Sequence, residues 1–546
     1  MSPAMLYFFL FFTLTTTVFA GWRAWQRIRF FLHVYQLESY KPVRYINWIK
    51  KRGKSRLLRV SHLLAWPLLI GASGLYWQTG KLWPVAVLLA VWGVLFASSR
   101  EYQGYRQKKP LAVTNRMKRL MGTAAALALI PVGAGALWGL LTWQPAGFLA
   151  YLTGFLVADL GAPLVVLFSA WLMQPVEKSI QNGFKKQARS TLLSRTDLFT
   201  LGITGSYGKT SVKFIVAEIL RQRFNVLATP GSYNTPMGIC IVVNNKLKRE
   251  HQVLVLEMGM RYRGDIKELC DIAQPDLALI TDVGVAHLET MGSIENIAQE
   301  KGDILQYMKP GGDAVLNIDN PYVAAMASRV QGKVWRISIK DHPDADIKAR
   351  NIRYTPEGAT FEVEDEEGNT QQFKTRLLGR HNVSNILLGV AAGRQLGLRL
   401  RQIAHGVARV EPVEHRLQLI QKGDITVIDD AFNSNPVGAR NAVEVLGAFE
   451  SGRRVIVTPG MVELGARQEE ENKILGQHIA KHVDLAVLVG DKQTAPIQEG
   501  LRAENFPAEK TRVFASFFDA QNFLQGYLKS GDVVLYENDL PDQYNE

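Results

Sequence analysis

Thr204-Gly205-Ser206-Tyr207-Gly208-Lys209-Thr210-Ser211 follows the apolar run 199–204 and opens an amphipathic stretch over 210–222. A strand that ends in such a loop and passes straight into a helix is the layout of a phosphate-binding turn. Gly205 and Gly208 allow backbone N–H groups to approach phosphate oxygens closely. The helix after Thr210 offers its positive end to negative charge. Lys209 is placed to lie between phosphates and Thr210 to give a hydroxyl to Mg²⁺, with Ser206 and Ser211 completing the loop. The spacing differs from G-x-x-x-x-G-K-[ST], because only two residues separate Gly205 from Gly208.

Outward from this loop, short apolar runs alternate with helical stretches. Runs at 253–257, 277–281 and 314–318 predict a largely parallel sheet with helices between its strands. Alternating segments at 360–363 and 372–375 predict a small antiparallel insertion, and a helix is expected over 382–396. A second α/β unit, Rossmann-like, begins near Val410, with strands at 425–429, 454–458, 485–489 and 533–536.

The first third of the chain has a different composition. Of 63 Lys and Arg and 50 Asp and Glu, residues 1–180 hold 20 basic and only 4 acidic residues, so the basic excess is confined there. That confinement, among long uncharged apolar stretches, excludes a nucleic-acid surface as the source of the formal charge of +13. The stretches 5–20, 61–78, 82–98, 120–142 and 147–173 approach the length of membrane spans. Eleven Lys and Arg in 21–60 and seven in 99–119, against Lys81 alone in the other two loops, follow the positive-inside pattern. The expectation is an N-terminal α-helical membrane domain with its N-terminus outside. The chain is thus expected to be multi-pass in the bacterial plasma membrane, with its catalytic domains cytoplasmic and membrane lipids as partners. An amphipathic connector is expected over 174–194. The domains are read as 1–180, 190–409 and 410–546. Cys240 and Cys270, the two cysteines, read as core residues.

The loop T-G-x-x-G-K-T resembles that of the Mur ligase family, the ATP-dependent amide ligases of bacterial cell-wall precursor synthesis. The resemblance continues through ATPGSYNTPMG (228–238), Leu256-Glu257-Met258-Gly259-Met260, Ala286-His287-Leu288-Glu289 with Glu300-Lys301-Gly302-Asp303-Ile304, and Gly379-Arg380-His381-Asn382-Val383-Ser384-Asn385. It extends to His415-Arg416-Leu417, Asp429-Asp430-Ala431-Phe432-Asn433-Ser434-Asn435 and Met461-Val462-Glu463-Leu464-Gly465. The last two blocks resemble the branch that adds D-alanyl-D-alanine.

The resemblance implies ATP and Mg²⁺ as cofactors. It implies Lys209 on the ATP phosphates, Thr210 and Glu257 on Mg²⁺, and His287 as a second metal ligand. Lys301 would be a metal ligand once carbamylated. Asn385 would meet adenine, Asp430 ribose, and Arg416 the transferring phosphoryl group. The implied substrates are an amino-acid or dipeptide amine and a carboxylate-bearing envelope precursor, free or lipid-linked. The reaction would run through an acyl phosphate to an amide.

Two departures qualify this. Apolar segments stand where family members have a UDP-gripping domain. Glu537, Asp539 and Asp542 stand where a Lys-Gly-Ser-Arg stretch follows the last strand, which predicts an acidic loop unfavourable to D-alanyl-D-alanine. The main expectation is therefore a membrane-embedded carboxylate–amine ligase. Its alternatives are an ordinary D-alanyl-D-alanine-adding ligase, a poly-γ-glutamate synthase-type subunit, and an ATP-gated transport or scaffold component.

Overall fold

The computed structural model describes residues 3–52, 57, 60–79, 91, 110–142, 145–355, 357–432, 434–462 and 464–539. Two compact units divide the chain, Met1–Ile180 and Gln181–Glu546.

The first unit is helical: α1 (Pro3–Leu37), α2 (Pro42–Arg52), α3 (Val60–Thr79), α4 (Asn115–Thr142), α5 (Pro145–Leu160) and the start of α6 (Ala162–Leu193). Asp159, the one carboxylate within the apolar segments, is fully buried on α5. Arg23 and Arg27, one turn apart on α1, lie 3.5 and 3.4 Å from its oxygens. His62 of α3 lies 2.5 Å away. Arg23 also donates to Ser61 at 2.7 Å. Burying this many ionic groups costs desolvation energy that only mutual pairing offsets. The cluster therefore acts as a clamp between three helices.

The five-span expectation is corrected here. Among the described residues one helix, Asn115–Trp138, is long and apolar enough to cross a membrane, or up to two if a bent pair counts as one span. The run 147–173 is not one helix: it breaks at Gly161, and the helices on either side meet at 72°. On α1, the apolar stretch continues into Arg23, Arg27 and Arg29 within the same helix. The stretch 82–98 lies, apart from Val91, outside the described residues. The amphipathic connector expected at 174–194 is the second half of α6.

The second unit contains two sheets. The first has nine strands in the order β2-β3-β1-β4-β5-β6-β7-β8-β9. Its strands are β1 (Phe199–Thr204), β2 (Val226–Ala228), β3 (Val253–Glu257), β4 (Leu277–Ile280), β5 (Asp313–Asn317), β6 (Val334–Ser338), β7 (Ile347–Thr355), β8 (Gly358–Glu364) and β9 (Thr370–Thr375). From β2 through β7 every pair is parallel, and β7–β8–β9 are antiparallel. The expected insertion is thus no separate piece, because β7 pairs with β6 and carries the main sheet onward.

The parallel strands read as continuous apolar runs because both faces are covered. One face packs on α7 (Lys209–Leu220) and on the helix Arg380–Gln395. The other face holds Cys240 and Cys270, both buried free thiols.

The second sheet has the order β10-β11-β15-β12-β13-β14. Its strands are β10 (Gln418–Lys422), β11 (Ile425–Asp430), β12 (Arg454–Thr458), β13 (Leu485–Val489), β14 (Thr511–Phe514) and β15 (Val533–Glu537). Only β10–β11 is antiparallel. The last strand in sequence is inserted between β11 and β12, so the carboxyl ends of these three strands lie side by side.

Candidate active site

The phosphate loop leaves β1 at Thr204, and α7 starts at Lys209. Gly208 precedes the helix with φ 77°, and a methyl group there would lie 2.6 Å from Asn385 Oδ1. At Gly205, with φ 148°, a methyl would collide with Thr281 Oγ1. Only glycine fits either position. The loop is pinned to the segment after β4: Ser206 N–H donates to Asp282 O at 2.7 Å, and Gly284 N–H donates to Ser206 Oγ at 2.9 Å. Thr281 Oγ1 donates to Tyr207 O. Ser206 is therefore committed to shaping the loop. Lys209 Nζ donates to Gly205 O at 2.7 Å, curling over the loop it serves.

Glu257 ends β3 and is almost fully buried. Asn234 Nδ2 donates to it at 2.9 Å, and Lys213 Nζ lies 3.4 Å from its other oxygen. Lys213, itself fully buried, had not been singled out from the sequence. Its signal was spacing, since four residues after Lys209 it shares the same face of α7. Burial depresses the pKa of both lysines, and Glu257 opposes that shift in each.

Lys301 lies buried on the helix Ile294–Tyr307. Burial, and after it the charge of Lys209, holds its ammonium well below the usual lysine range, against the pull of Glu300 and Asp282. A neutral amine is the form that can take up CO₂, so the environment fits carbamylation. Glu300 is engaged elsewhere, accepting N–H bonds from Gly264 and Ile266 at 2.8 and 2.9 Å.

His287 adopts a left-handed backbone, φ 65°, at the start of the one-turn helix Leu288–Met291. No three His, Cys, Asp or Glu side chains converge as a metal cage among the described residues. A hard Mg²⁺ ion takes few protein ligands, so Glu257 and the Thr210 hydroxyl fit it if phosphate oxygens and water supply the rest.

Arg416 comes from the second α/β region. His415 and Leu417 on either side have φ 60° and 46°, a strained turn that aims the guanidinium back at the phosphate loop. Leu417 N–H is held by Asp430 Oδ1 at 3.1 Å, and His415 Nδ1 lies 2.7 Å from Asp429. Arg416 stacks on Phe432, 4.5 Å from the ring centre, and its Nη2 lies 3.5 Å from Thr210 Oγ1. Asp430 closes β11, and burial pushes its carboxyl up to about 6, with Leu417 and Arg416 opposing.

A cavity of about 360 Å³ has Gly208, Ser211, Asn385, Arg416 and Asp430 in its wall. Asn385 donates to Asn382 at 3.0 Å, which fixes its amide. The same wall contains side chains not anticipated from sequence, among them Asp282, Asn320, Lys340 and His381. Asp282 is pushed up to about 6 by burial, and Asn320 donates to it. His381 is held down at about 4 by burial and Arg416, which keeps its ring neutral, and Asn441 Nδ2 is 3.3 Å away. Lys209, Thr210, Glu257, His287, Lys301, Gly205 and Ser206 are not in that wall.

At the far end, the expected acidic loop is corrected at Glu537. Glu537 is the last residue of β15 and fully buried, receiving hydrogen bonds from Ser434 Oγ and from Thr458 Oγ1, the latter at 3.0 Å. Asp539 is exposed, and Asp542, Asn433 and Glu463 lie outside the described residues.

Residues 203–393 match the Mur ligase middle domain, and residues 415–536 match the Mur ligase, glutamate ligase domain. The UDP-N-acetylmuramoyl-tripeptide–D-alanyl-D-alanine ligase of Mycobacterium tuberculosis is 34% identical over 366 residues, 62% of this chain and 70% of that protein. Its counterpart from Escherichia coli K12 is 33% identical, covering 57% and 68%. Among solved structures, MurF from Acinetobacter baumannii aligns with TM-score 0.60 and 26% identity, covering 67% of this chain and 78% of that one. MurF from Thermotoga maritima in complex with ADP gives 0.59 and 26%, covering 66% and 80%. These relatives add no support for the multi-pass plasma-membrane location, which stands corrected. The enzyme is an ADP-forming acid–amino-acid ligase that works with ATP and Mg²⁺. The chain belongs to the Mur ligase family.

Proposed function

We propose that this enzyme joins D-alanyl-D-alanine to a carboxylate-bearing, UDP-N-acetylmuramoyl-tripeptide-type peptidoglycan precursor. The observation that carries the reading is the approach of Arg416 to Thr210, which brings the second α/β region onto the phosphate loop beside one cavity. The burial of Glu537 takes one of the three expected acidic side chains away from an acceptor with a free carboxylate, while Asp539 stays exposed. The ordinary ligase reading is thereby favoured over a membrane-embedded one. We take the catalytic regions as 190–409 and 410–546.

In this mechanism the precursor carboxylate attacks the γ-phosphorus in line, the bond to the bridging β–γ oxygen breaks, and ADP leaves with that bond's electrons. Lys209 and Arg416 neutralise charge on the transferring group. Asn385 orients adenine and Asp430 ribose. Thr210 and Glu257, with His287 and a carbamylated Lys301, would hold Mg²⁺, which would supply further charge neutralisation. The amine of D-alanyl-D-alanine attacks the acyl phosphate carbonyl, the C–N bond forms, and phosphate leaves with the electrons of the C–O bond. Closure of the two regions excludes water from that intermediate.

Incubation with ATP, Mg²⁺, D-alanyl-D-alanine and the UDP-linked tripeptide should release one ADP per amide, read by mass spectrometry. ADP release without a pentapeptide product would overturn the reading.

We further infer that the helical unit meets a lipid-linked form of the precursor. A groove of about 630 Å³ on it is lined by Leu127, Ile130, Leu164, Phe168 and Trp171, all apolar. This lining suits the hydrocarbon chain of a lipid-linked precursor. Equal turnover of lipid-linked and UDP-linked tripeptide after Phe168→Asp and in the unaltered chain would refute this.

A further inference from the structure

Glu537 is a fully buried carboxyl group that the proposed mechanism does not use. It lies opposite Asp430 in register, at the carboxyl edge of a mostly parallel sheet, where ligands of open α/β folds bind. Its two oxygens accept from Ser434 and Thr458. The next residue, Asn538, takes a left-handed backbone (φ 65°), donates its N–H to Asp430 O at 3.1 Å and its amide to Gly460 O at 2.6 Å. Two consecutive residues thus lace together the ends of β11, β15 and β12. Asp430 and Ser434, both held in this lacing, are in the wall of the nucleotide cavity.

The groups facing Glu537 offer no positive charge. From β11 comes the carboxyl of Asp430, from β12 the hydroxyl of Thr458, and from the following loop the hydroxyl of Ser434. Among the described residues no Lys, Arg or His forms an ion pair with it, and Arg416 is directed at Asp430 and Thr210. Burial pushes its carboxyl up to about 8, Asp430 adds to that, and the two hydroxyls oppose it. An ionised carboxylate here would be a second buried negative charge directly behind the part of the cavity wall made by Asp430 and Ser434.

We propose that Glu537 is a positioning residue of the nucleotide pocket whose proton is linked to nucleotide affinity. The carboxyl holds Ser434 and the end of β11 at the cavity wall, and its ionisation beside Asp430 adds negative charge behind that wall, which weakens ADP and ATP binding. By reciprocity, bound nucleotide favours the protonated form. The proposal rests on the cavity being the nucleotide site.

The test is direct binding of ADP with Mg²⁺ to the full-length protein between pH 7 and 9, where the phosphates of ADP keep one charge state. The unaltered chain should lose affinity by about fivefold across that range, within the span of typical coupling between sites. In Glu537→Gln, which cannot ionise, the ratio of the two affinities should fall to one. Ser434→Ala, which leaves the carboxyl but cuts its link to the wall, should shrink the step. The same step in Glu537→Gln as in the unaltered chain, or no step in either, overturns the inference while leaving the ligase reading intact. Failure of the unaltered chain to bind ADP at any pH overturns both. A purely structural brace would change melting temperature without changing this ratio.

Discussion

Two buried carboxylates end strands in the two sheets of the α/β unit, and their surroundings are opposite. Glu257, at the end of β3, faces Lys213 and the amide of Asn234. Glu537, at the end of β15, faces two hydroxyls and another carboxyl. A charge removed from water needs a countercharge or a proton. The first site supplies a cation and an amide donor beside the carboxylate, next to the phosphate loop. The second supplies no such cation and holds its proton until about pH 8. Equal burial therefore gives opposite chemistry, and the partner side chain decides which.

The largest expected effect lies on the Glu257 side. Lys209→Ala should cost at least about 10²- to 10³-fold in turnover, the scale seen when a preorganised charge-stabilising group is removed. ADP release within tenfold of the unaltered chain would take the loop out of the chemistry. Lys301→Ala should fall nearly as far and recover in part with added short carboxylic acids, which can replace a carbamate. Full activity without any acid would make this lysine a packing residue only.

Lys213→Ala breaks the comparison directly, because it removes the ammonium that lies 3.4 Å from Glu257. Loss of one partner of a buried pair costs about 3–5 kcal/mol, so a marked fall in melting temperature is expected. Lys213→Met with Glu257→Leu should regain much of that stability while remaining inactive. If the single variant melts like the unaltered chain, water already reaches the pair.

The smallest effect sharpens the other side. The Glu537 carboxyl is raised from about 4.5 to about 8, so between those values the folded chain holds a proton that the unfolded chain has lost. Stability therefore falls as pH rises through that window and levels off above it. Glu537→Gln lacks this penalty. Its melting temperature should gain on the unaltered chain from pH 5 to 8, by about a few degrees, and then run parallel. Parallel curves from pH 5 upward would mean that the carboxyl is ionised in the fold.

The phosphate loop was readable from sequence because its demands are local. Positive φ at Gly208, close approach at Gly205 and a helix beginning at Lys209 concern neighbouring residues only. The strands β1, β3 and β12 fell within their expected bounds for a similar reason: parallel strands covered on both faces are short continuous apolar runs. The helical unit misled because apolar length registers hydrophobicity but not where a helix bends. The run 147–173 is two helices meeting at 72°.

Sequence by itself determined the two α/β regions, the loop between β1 and α7 and the family to which they belong, since each depends on order and short spacing along the chain. Tertiary structure alone decided which charges meet. Lys213 and Glu257 are 44 residues apart, Ser434 and Glu537 103, and Thr210 and Arg416 206. It also placed the last strand of the chain between β11 and β12, which took Glu537 out of an expected surface loop and into the interior. The reason is physical: the charge state of a side chain follows from its desolvation and from the groups within a few ångströms, and neither is a property of its neighbours in sequence.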